Sequence, residues 1–227
     1  MRTVYHVMSA PQPLGLLFLA SGDRGLRHVG FMERKSLKRT IAVHDAAMPG
    51  QTWEPSLYDL RPLADQLDQY FTGATRALAW PIDPQGDELS RAVWRALLRV
   101  PYGETCTVAE LAREVGQPRN LRAVAQAVLT NPIAIVVPCH RVLGADGKPS
   151  NYVGGLPRKK YLLDVEKRFR RMGGLDDNRV IGELVRRVPR VATARTTALK
   201  RVAPKKRTVT ASSRPSPAIK GSKKRSR

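Results

Sequence analysis

The stretch Ile133-Ala134-Ile135-Val136-Val137-Pro138-Cys139-His140-Arg141-Val142 carries more information than any other part of the chain. Five apolar residues rich in β-branching and closed by proline predict a buried strand that stops at a fixed point. Cys139 is then held where the core meets a cleft, with a base next to it and a cation one residue on. A thiol is a nucleophile only as thiolate, and nearby cations or a helix N-terminus lower its pKa from about 8.5 to about 7.5 or below. A bare Cys-His pair equally describes a half-buried structural cysteine. The flanking residues separate the two readings.

Upstream stands Val100-Pro101-Tyr102-Gly103-Glu104-Thr105, then a helical pattern and Asn131-Pro132. Downstream come Gly147, Asn151-Tyr152-Val153-Gly154-Gly155-Leu156, a basic step Arg158-Lys159-Lys160, and Leu162-Leu163 with Glu166. This string resembles the O6-alkylguanine-DNA alkyltransferase family, the methylated-DNA–protein-cysteine methyltransferases. The resemblance runs from about Gly86 to Glu166, and Pro138-Cys139-His140-Arg141-Val142 is its most specific part. Residues 1–85 match loosely, through Pro13-Leu14-Gly15, Gly25-Leu26 and Leu67-Asp68-Gln69-Tyr70-Phe71-Thr72-Gly73. Nothing after about residue 172 is covered.

The 227 residues suffice for one large or two small domains with real cores. Two cysteines, Cys106 and Cys139, exclude a disulfide scaffold and a Cys-rich zinc site. His6, His28, His44 and His140 are scattered without metal-ligand spacing, so no metal is expected. Leu14–Ala20 is too short to span a bilayer and makes a poor signal segment, so it is read as a strand. Reduced thiols and no export signal point to the cytoplasm, with no membrane association. The net charge of +21 is unevenly spread: the 44 residues after Glu183 hold 15 Lys or Arg and no acid. That tail, poor in aromatics, cannot bury enough surface to fold and reads as a disordered polyelectrolyte arm that neutralises phosphates.

Thr3–Met8, Leu14–Ala20 and Leu26–Met32, bounded by Pro and Gly, predict three short strands. Leu60, Leu63, Ala64, Leu67, Tyr70 and Phe71 fall at helical spacing, ending near Gly73. Val93, Trp94, Leu97 and Leu98 form a further helix face. Thr107-Val108-Ala109-Glu110 has capping-box form and starts a helix through Val115; Gly116-Gln117-Pro118 interrupts it, and another helix runs from about Arg119 to Leu129. Two short helices on a glycine-containing turn outline a helix-turn-helix. The expected fold class is α+β. A small N-terminal α/β domain (residues 1–85), ribonuclease-H-like by resemblance, serves as scaffold. A mainly helical helix-turn-helix catalytic domain (86–172) and the basic tail (173–227) follow.

The resemblance implies repair of double-stranded DNA containing O6-alkylguanine, with O4-alkylthymine left open, by a monomer without a cofactor. Cys139 is the implied nucleophile and His140 its base, acting through an ordered water. Glu166 orients the histidine, and Tyr152 donates to the leaving oxygen. Arg122, on the second helix of the motif, plugs the gap left by the extruded base. Thr107, Val108, Ala123 and Gln126 join it on the DNA face. Asn131 ties the motif to the active segment, and Arg141 is the buried cation beneath it. Val137, Pro138, Val153, Gly154 and Gly155 line the pocket, with backbone at Val137 and its neighbours reading the base edge. The physical need is a flipped base, because a lesion inside the stack cannot reach a thiolate. The S-alkylcysteine product is a very poor leaving group, so each molecule acts once.

Three positions depart from the family pattern. Val108 stands where an aromatic presses the target phosphate, Gly86-Asp87-Glu88-Leu89-Ser90 replaces Gly-Thr-x-Phe-Gln, and Val153 replaces a small polar residue. The rival readings are a non-catalytic protein that recognises alkylated DNA, and a cysteine hydrolase or redox enzyme. The presence of Cys139 opposes the first; the absence of a second thiol near it in sequence opposes the second.

Overall fold

The computed structural model describes residues 1–33, 36–47 and 49–170; the basic tail lies outside them. Strands β1 (Arg2–Ala10), β2 (Gly15–Gly22) and β3 (Gly25–Met32) form an antiparallel meander. Helix α1 (Leu37–Ala47) then crosses to β4 (Thr52–Pro55), which pairs parallel with β1, giving the sheet order β3-β2-β1-β4. The three expected strands are present. Neither α1 nor β4 was expected, because α1 has no continuous apolar stripe and β4 is four residues ending in proline.

Helix α2 (Leu57–Thr72) buries Leu60, Leu63, Ala64, Leu67, Tyr70 and Phe71. Its first turn is closed by Ser56, whose hydroxyl accepts from the Asp59 backbone N–H. Gly73 ends it at φ 76°, and a Cβ there would come within 2.2 Å of the Phe169 ring, so close packing and backbone both demand glycine.

The second half builds α3 (Glu88–Leu97), capped by Asp87, then β5 (Cys106–Thr107), α4 (Val108–Glu114) and α5 (Leu121–Leu129). A 3₁₀ turn at Cys139–Arg141 leads into β6 (Val142–Leu143), which pairs parallel with β5, and α6 (Leu156–Phe169) closes the domain. The sheet domain and the helical domain share one hydrophobic core that runs from Leu17 and Leu67 through Trp94 and Leu111 to Val137 and Leu162.

Ile133–Val137 is not the strand that its composition predicts. All five residues are buried, but the chain makes a tight loop with Ile135 at φ 73°. Val137 N–H donates to the Ile133 carbonyl at 2.9 Å, and Val136 N–H to that of Ala134 at 2.9 Å. The run of β-branched residues reported burial rather than extension. The loop is joined instead to the edge of the first sheet: Val29 N–H donates to the Pro132 carbonyl at 3.0 Å, and Ala134 N–H to that of Val29 at 2.9 Å.

Candidate active site

The loop is shaped from inside by Asn131, which is 2% exposed. Its Oδ1 accepts from Ile133 N–H at 3.0 Å, and its Nδ2 donates to the Val137 carbonyl at 2.9 Å and to Cys139 Sγ at 3.0 Å. One amide thus closes the loop and touches the thiol. Cys139 sits at the start of the 3₁₀ turn, 1% exposed. Burial pushes its thiol up to about 11, against the pull of the Asn131 hydrogen bond and the Lys159 charge. At neutral pH the resting protein therefore holds a thiol rather than a thiolate.

His140 follows, fully buried. Its Nε2 lies 2.8 Å from Glu166 Oε1. An ionised carboxylate only accepts, so Nε2 carries the proton and the Nδ1 lone pair is left open. Nδ1 is buried with no hydrogen-bond partner among the described residues. Burial lowers the histidine pKa, with the Glu166 charge opposing, so the imidazole rests neutral.

Glu166, 1% exposed on α6, accepts from His140, from Arg141 Nε (3.0 Å to each oxygen) and Nη2 (2.8 Å), from Gly103 N–H (2.9 Å) and from Tyr70 O–H (2.5 Å). Burial alone would raise its pKa, but the Arg141 charge and the bonds from His140 and Arg141 outweigh it and hold the group well below the usual carboxylate range. Arg141 also donates to the Val100 carbonyl at 2.6 Å and lies over the Tyr102 ring at 5.7 Å. It therefore stands behind the histidine and carboxylate.

Tyr152 lies edge-on to His140, ring centroids 6.4 Å apart, and to Phe31 of β3, 5.9 Å apart. Its hydroxyl is buried with no partner among the described residues, and burial, followed by the nearby Cys139, raises its pKa well above that of a free phenol. It remains a proton donor throughout the working range. The first domain braces this loop, because Arg158 bridges the Leu14 and Gly154 carbonyls at 3.0 Å each and covers the Phe31 ring at 4.9 Å.

On the surface, α5 buries Val124, Ala127 and Val128 and exposes Arg122 and Gln126, one helical turn apart, with Ala123 half-buried between. Val108 begins α4 half-buried against the core. The structure shows what three of the expected site residues do within the chain itself. The Thr107 hydroxyl is engaged in the capping box, bonded to the Glu110 backbone N–H at 3.2 Å and to its carboxylate at 3.0 Å, because the helix start needs an acceptor there. Val137 does not offer its backbone to a base: its N–H and carbonyl are both bonded within the loop. Gly154 serves close approach, but to Phe31, whose ring atoms a Cβ would meet at 2.4 Å. Pro138 precedes the 3₁₀ turn, Val153 is exposed, and Gly155, at φ 82°, starts α6.

Sequence reasoning missed Tyr70, Gly103 and Lys159. Lys159 is 1% exposed; its Nζ donates to the Val142 carbonyl at 2.5 Å and the Asn151 carbonyl at 3.4 Å, and it forms no salt bridge among the described residues. Burial lowers its pKa to about 8, against the pull of the Cys139 and Cys106 thiols. Its helical spacing with Leu162 and Glu166 was the available signal, since 159, 162 and 166 share one α6 face.

The chain matches the models of both 6-O-methylguanine DNA methyltransferase domains: the ribonuclease-like domain over residues 3–84 and the DNA binding domain over 88–168. A methylated-DNA–protein-cysteine methyltransferase of Methanosarcina acetivorans is 41% identical over 154 residues, spanning 68% of this chain and 93% of the relative. The chain belongs to this family. The Mycobacterium tuberculosis O6-methylguanine methyltransferase structure is 36% identical with a TM-score of 0.63, covering 73% of this chain and 93% of that one. The M. tuberculosis OGT solved in complex with DNA is 36% identical, TM-score 0.60, covering 74% of this chain and 94% of its own.

Proposed function

We propose that the protein repairs double-stranded DNA by a single, irreversible transfer of the alkyl group from O6-alkylguanine to Cys139 Sγ. The observation that carries this is the buried Cys139 thiol beside a neutral histidine whose Nε2–H is engaged by Glu166 and whose Nδ1 lone pair is open. The α4–α5 motif lies against the DNA, and Arg122 fills the gap left by the flipped nucleotide; its planar cation stacks on bases and bonds their edges. Ala123, Gln126, Val108 and the Thr107 turn complete that face. The flipped base enters beside Tyr152, Pro138 and the 153–155 turn.

His140 Nδ1 takes the Cys139 proton through a water, and Glu166 steadies the imidazolium. The thiolate attacks the alkyl carbon; the S–C bond forms as the C–O6 bond breaks, and its electron pair goes to the guanine oxygen. Tyr152 hydrogen-bonds to that oxygen as charge develops, and the proton released by Cys139 balances the restored guanine. Asn131 and Lys159 lower the cost of the thiolate. No cofactor takes part, and the thioether ends the molecule's activity.

The same reading keeps the domains at 1–85, 86–172 and 173–227, with the antiparallel meander plus one parallel strand supporting a ribonuclease-H-like first domain. It assigns the basic tail to phosphate attraction, and places a monomer in the cytoplasm, on the nucleoid in a bacterium. No helix among the described residues is long and apolar enough to cross a membrane. The test is to titrate a duplex carrying one O6-methylguanine with protein and count guanines restored. Repair that saturates at one lesion per protein supports the proposal; turnover beyond it, or binding without repair, opposes it.

A further inference from the structure

Tyr70 belongs to α2, in the sheet domain, yet its hydroxyl reaches the relay of the helical domain. It donates to Glu166 Oε1 at 2.5 Å and lies 3.4 Å from His140 Nε2. The oxygen it meets is the same one that receives His140 Nε2–H. The ring is 1% exposed and packs edge-on against Phe71 and Tyr102, at 5.7 Å each. Arg141 and Gly103 already hold the carboxylate in place, so a further donor on Oε1 acts chiefly on its charge.

We propose that Tyr70 is a positioning residue of the alkyl-transfer site: its hydroxyl tempers the basicity of Glu166 and so keeps His140 neutral and able to accept the Cys139 proton. The proposal rests on the reading of His140 as the base. A hydrogen bond donated to a carboxylate draws off part of its charge and weakens its pull on a neighbouring imidazolium. Without the hydroxyl, Oε1 turns more of its charge toward Nε2, and His140 protonates at higher pH. A protonated His140 has no lone pair at Nδ1 for the thiol proton.

The groups facing His140 fix the direction. Glu166, from α6, favours protonation. Arg141 from the same 3₁₀ turn and Lys159 from α6 oppose it. Cys139 precedes it in the turn, and Tyr152 packs from the 151–155 loop. Tyr70 is what α2 contributes, and burial raises its pKa well above that of a free phenol, so it stays a donor. The sheet domain is then more than a scaffold, since it completes the hydrogen-bond shell that sets the histidine's charge state.

The test is Tyr70→Phe in the full chain, which keeps the ring and removes only the hydroxyl. His140 is titrated by imidazole NMR, its signal assigned by loss in His140→Gln, and methyl transfer is followed in single turnover against pH. The expected result is that the His140 midpoint and the acid limb of the rate move upward together by about one pH unit, the size of one lost hydrogen bond to a carboxylate. A lowered unfolding temperature with an unmoved His140 titration makes Tyr70 a packing residue only and overturns the proposal, as does a downward shift. Should the phenylalanine variant fail to fold, 3-fluorotyrosine at position 70 is a stronger donor of nearly the same shape. It is expected to move the midpoint down, and an unmoved or upward midpoint overturns the proposal. A wild-type rate that ignores the His140 titration would instead remove His140 as the base, an outcome distinct from any behaviour of the variants.

Discussion

Replacing Glu166 by glutamine takes one negative charge out of a site where the carboxylate is 1% exposed and its partner Arg141 is 6% exposed. The two are joined by contacts of 2.8–3.0 Å, so solvent screening is slight and the guanidinium is left buried without a counter-charge. Breaking a buried pair from one side costs about 3–5 kcal/mol. The new amide also brings N–H donors into a ring of donors: His140, Gly103 and Tyr70 all need an acceptor there. For a protein of this size each kcal/mol moves the unfolding midpoint by about 2–4 °C, so the expected fall is roughly 6–20 °C. The sign with pH follows from the depressed carboxyl. Its contribution is fully present above the unfolded value of about 4.3 and is lost as pH falls through the lower folded value. The gap between wild type and E166Q is therefore flat from about pH 5 to 8 and narrows in more acid solution. Urea unfolding of both proteins across this range, with m-values compared, measures it. A loss below about 1 kcal/mol at pH 7, or a gap that widens on acidification, would mean that Glu166 is not the buried counter-charge of Arg141.

Three further outcomes are expected. Arg122→Ala, at an exposed position, changes stability by no more than about 0.5 kcal/mol but slows transfer from a duplex lesion by about tenfold or more. Reaction with a free O6-alkylated guanine base is left near wild type, and equal loss on both substrates would contradict the plug role. Lys159→Met removes the buried cation near Cys139 and so raises the thiol pKa, and alkylation of that thiol by iodoacetamide falls about tenfold for each pKa unit of rise. Because Lys159 titrates at about 8, its help is present below that pH and fades above it, so the two proteins converge in alkaline solution; parallel pH–rate curves would oppose this. Deleting residues 184–227 removes 15 cations and should flatten the dependence of DNA affinity on salt while single-turnover transfer at saturating DNA is unchanged. An unaltered salt slope would show that the tail does not engage phosphates.

The parts legible in the sequence are those where local chemistry dictates local structure. Thr107 and Glu110 form the expected capping box, Gly73 ends α2 in the left-handed region, and the apolar stripe from Leu60 to Phe71 is buried as its spacing requires. His140 and Glu166 meet as expected, although they are 26 residues apart. Elsewhere the same signals had two meanings. Ile133–Val137 is apolar because it is buried, and a loop satisfied by the Asn131 side chain buries it as completely as a sheet would. Tyr70 looks like one more apolar position on α2, because nothing local reveals that its hydroxyl meets a carboxylate 96 residues away. Lys159 reads as one charge in a basic step until α6 is wound and turns it inward. Gly154 reads as room for a ligand, but only the folded chain shows that the Phe31 ring already takes up the space a Cβ would need.

The central claim is that Cys139 Sγ is the final resting place of the alkyl group. Intact-protein and peptide mass spectrometry, after mixing with a duplex that carries one O6-methylguanine, tests it directly, with Cys106 as the second thiol in the same chain. The expected result is a single methyl on the Cys139 peptide, stoichiometric with lesion lost and absent in Cys139→Ala. An unmodified protein that still binds the lesion duplex, or a methyl found on Cys106, would contradict it.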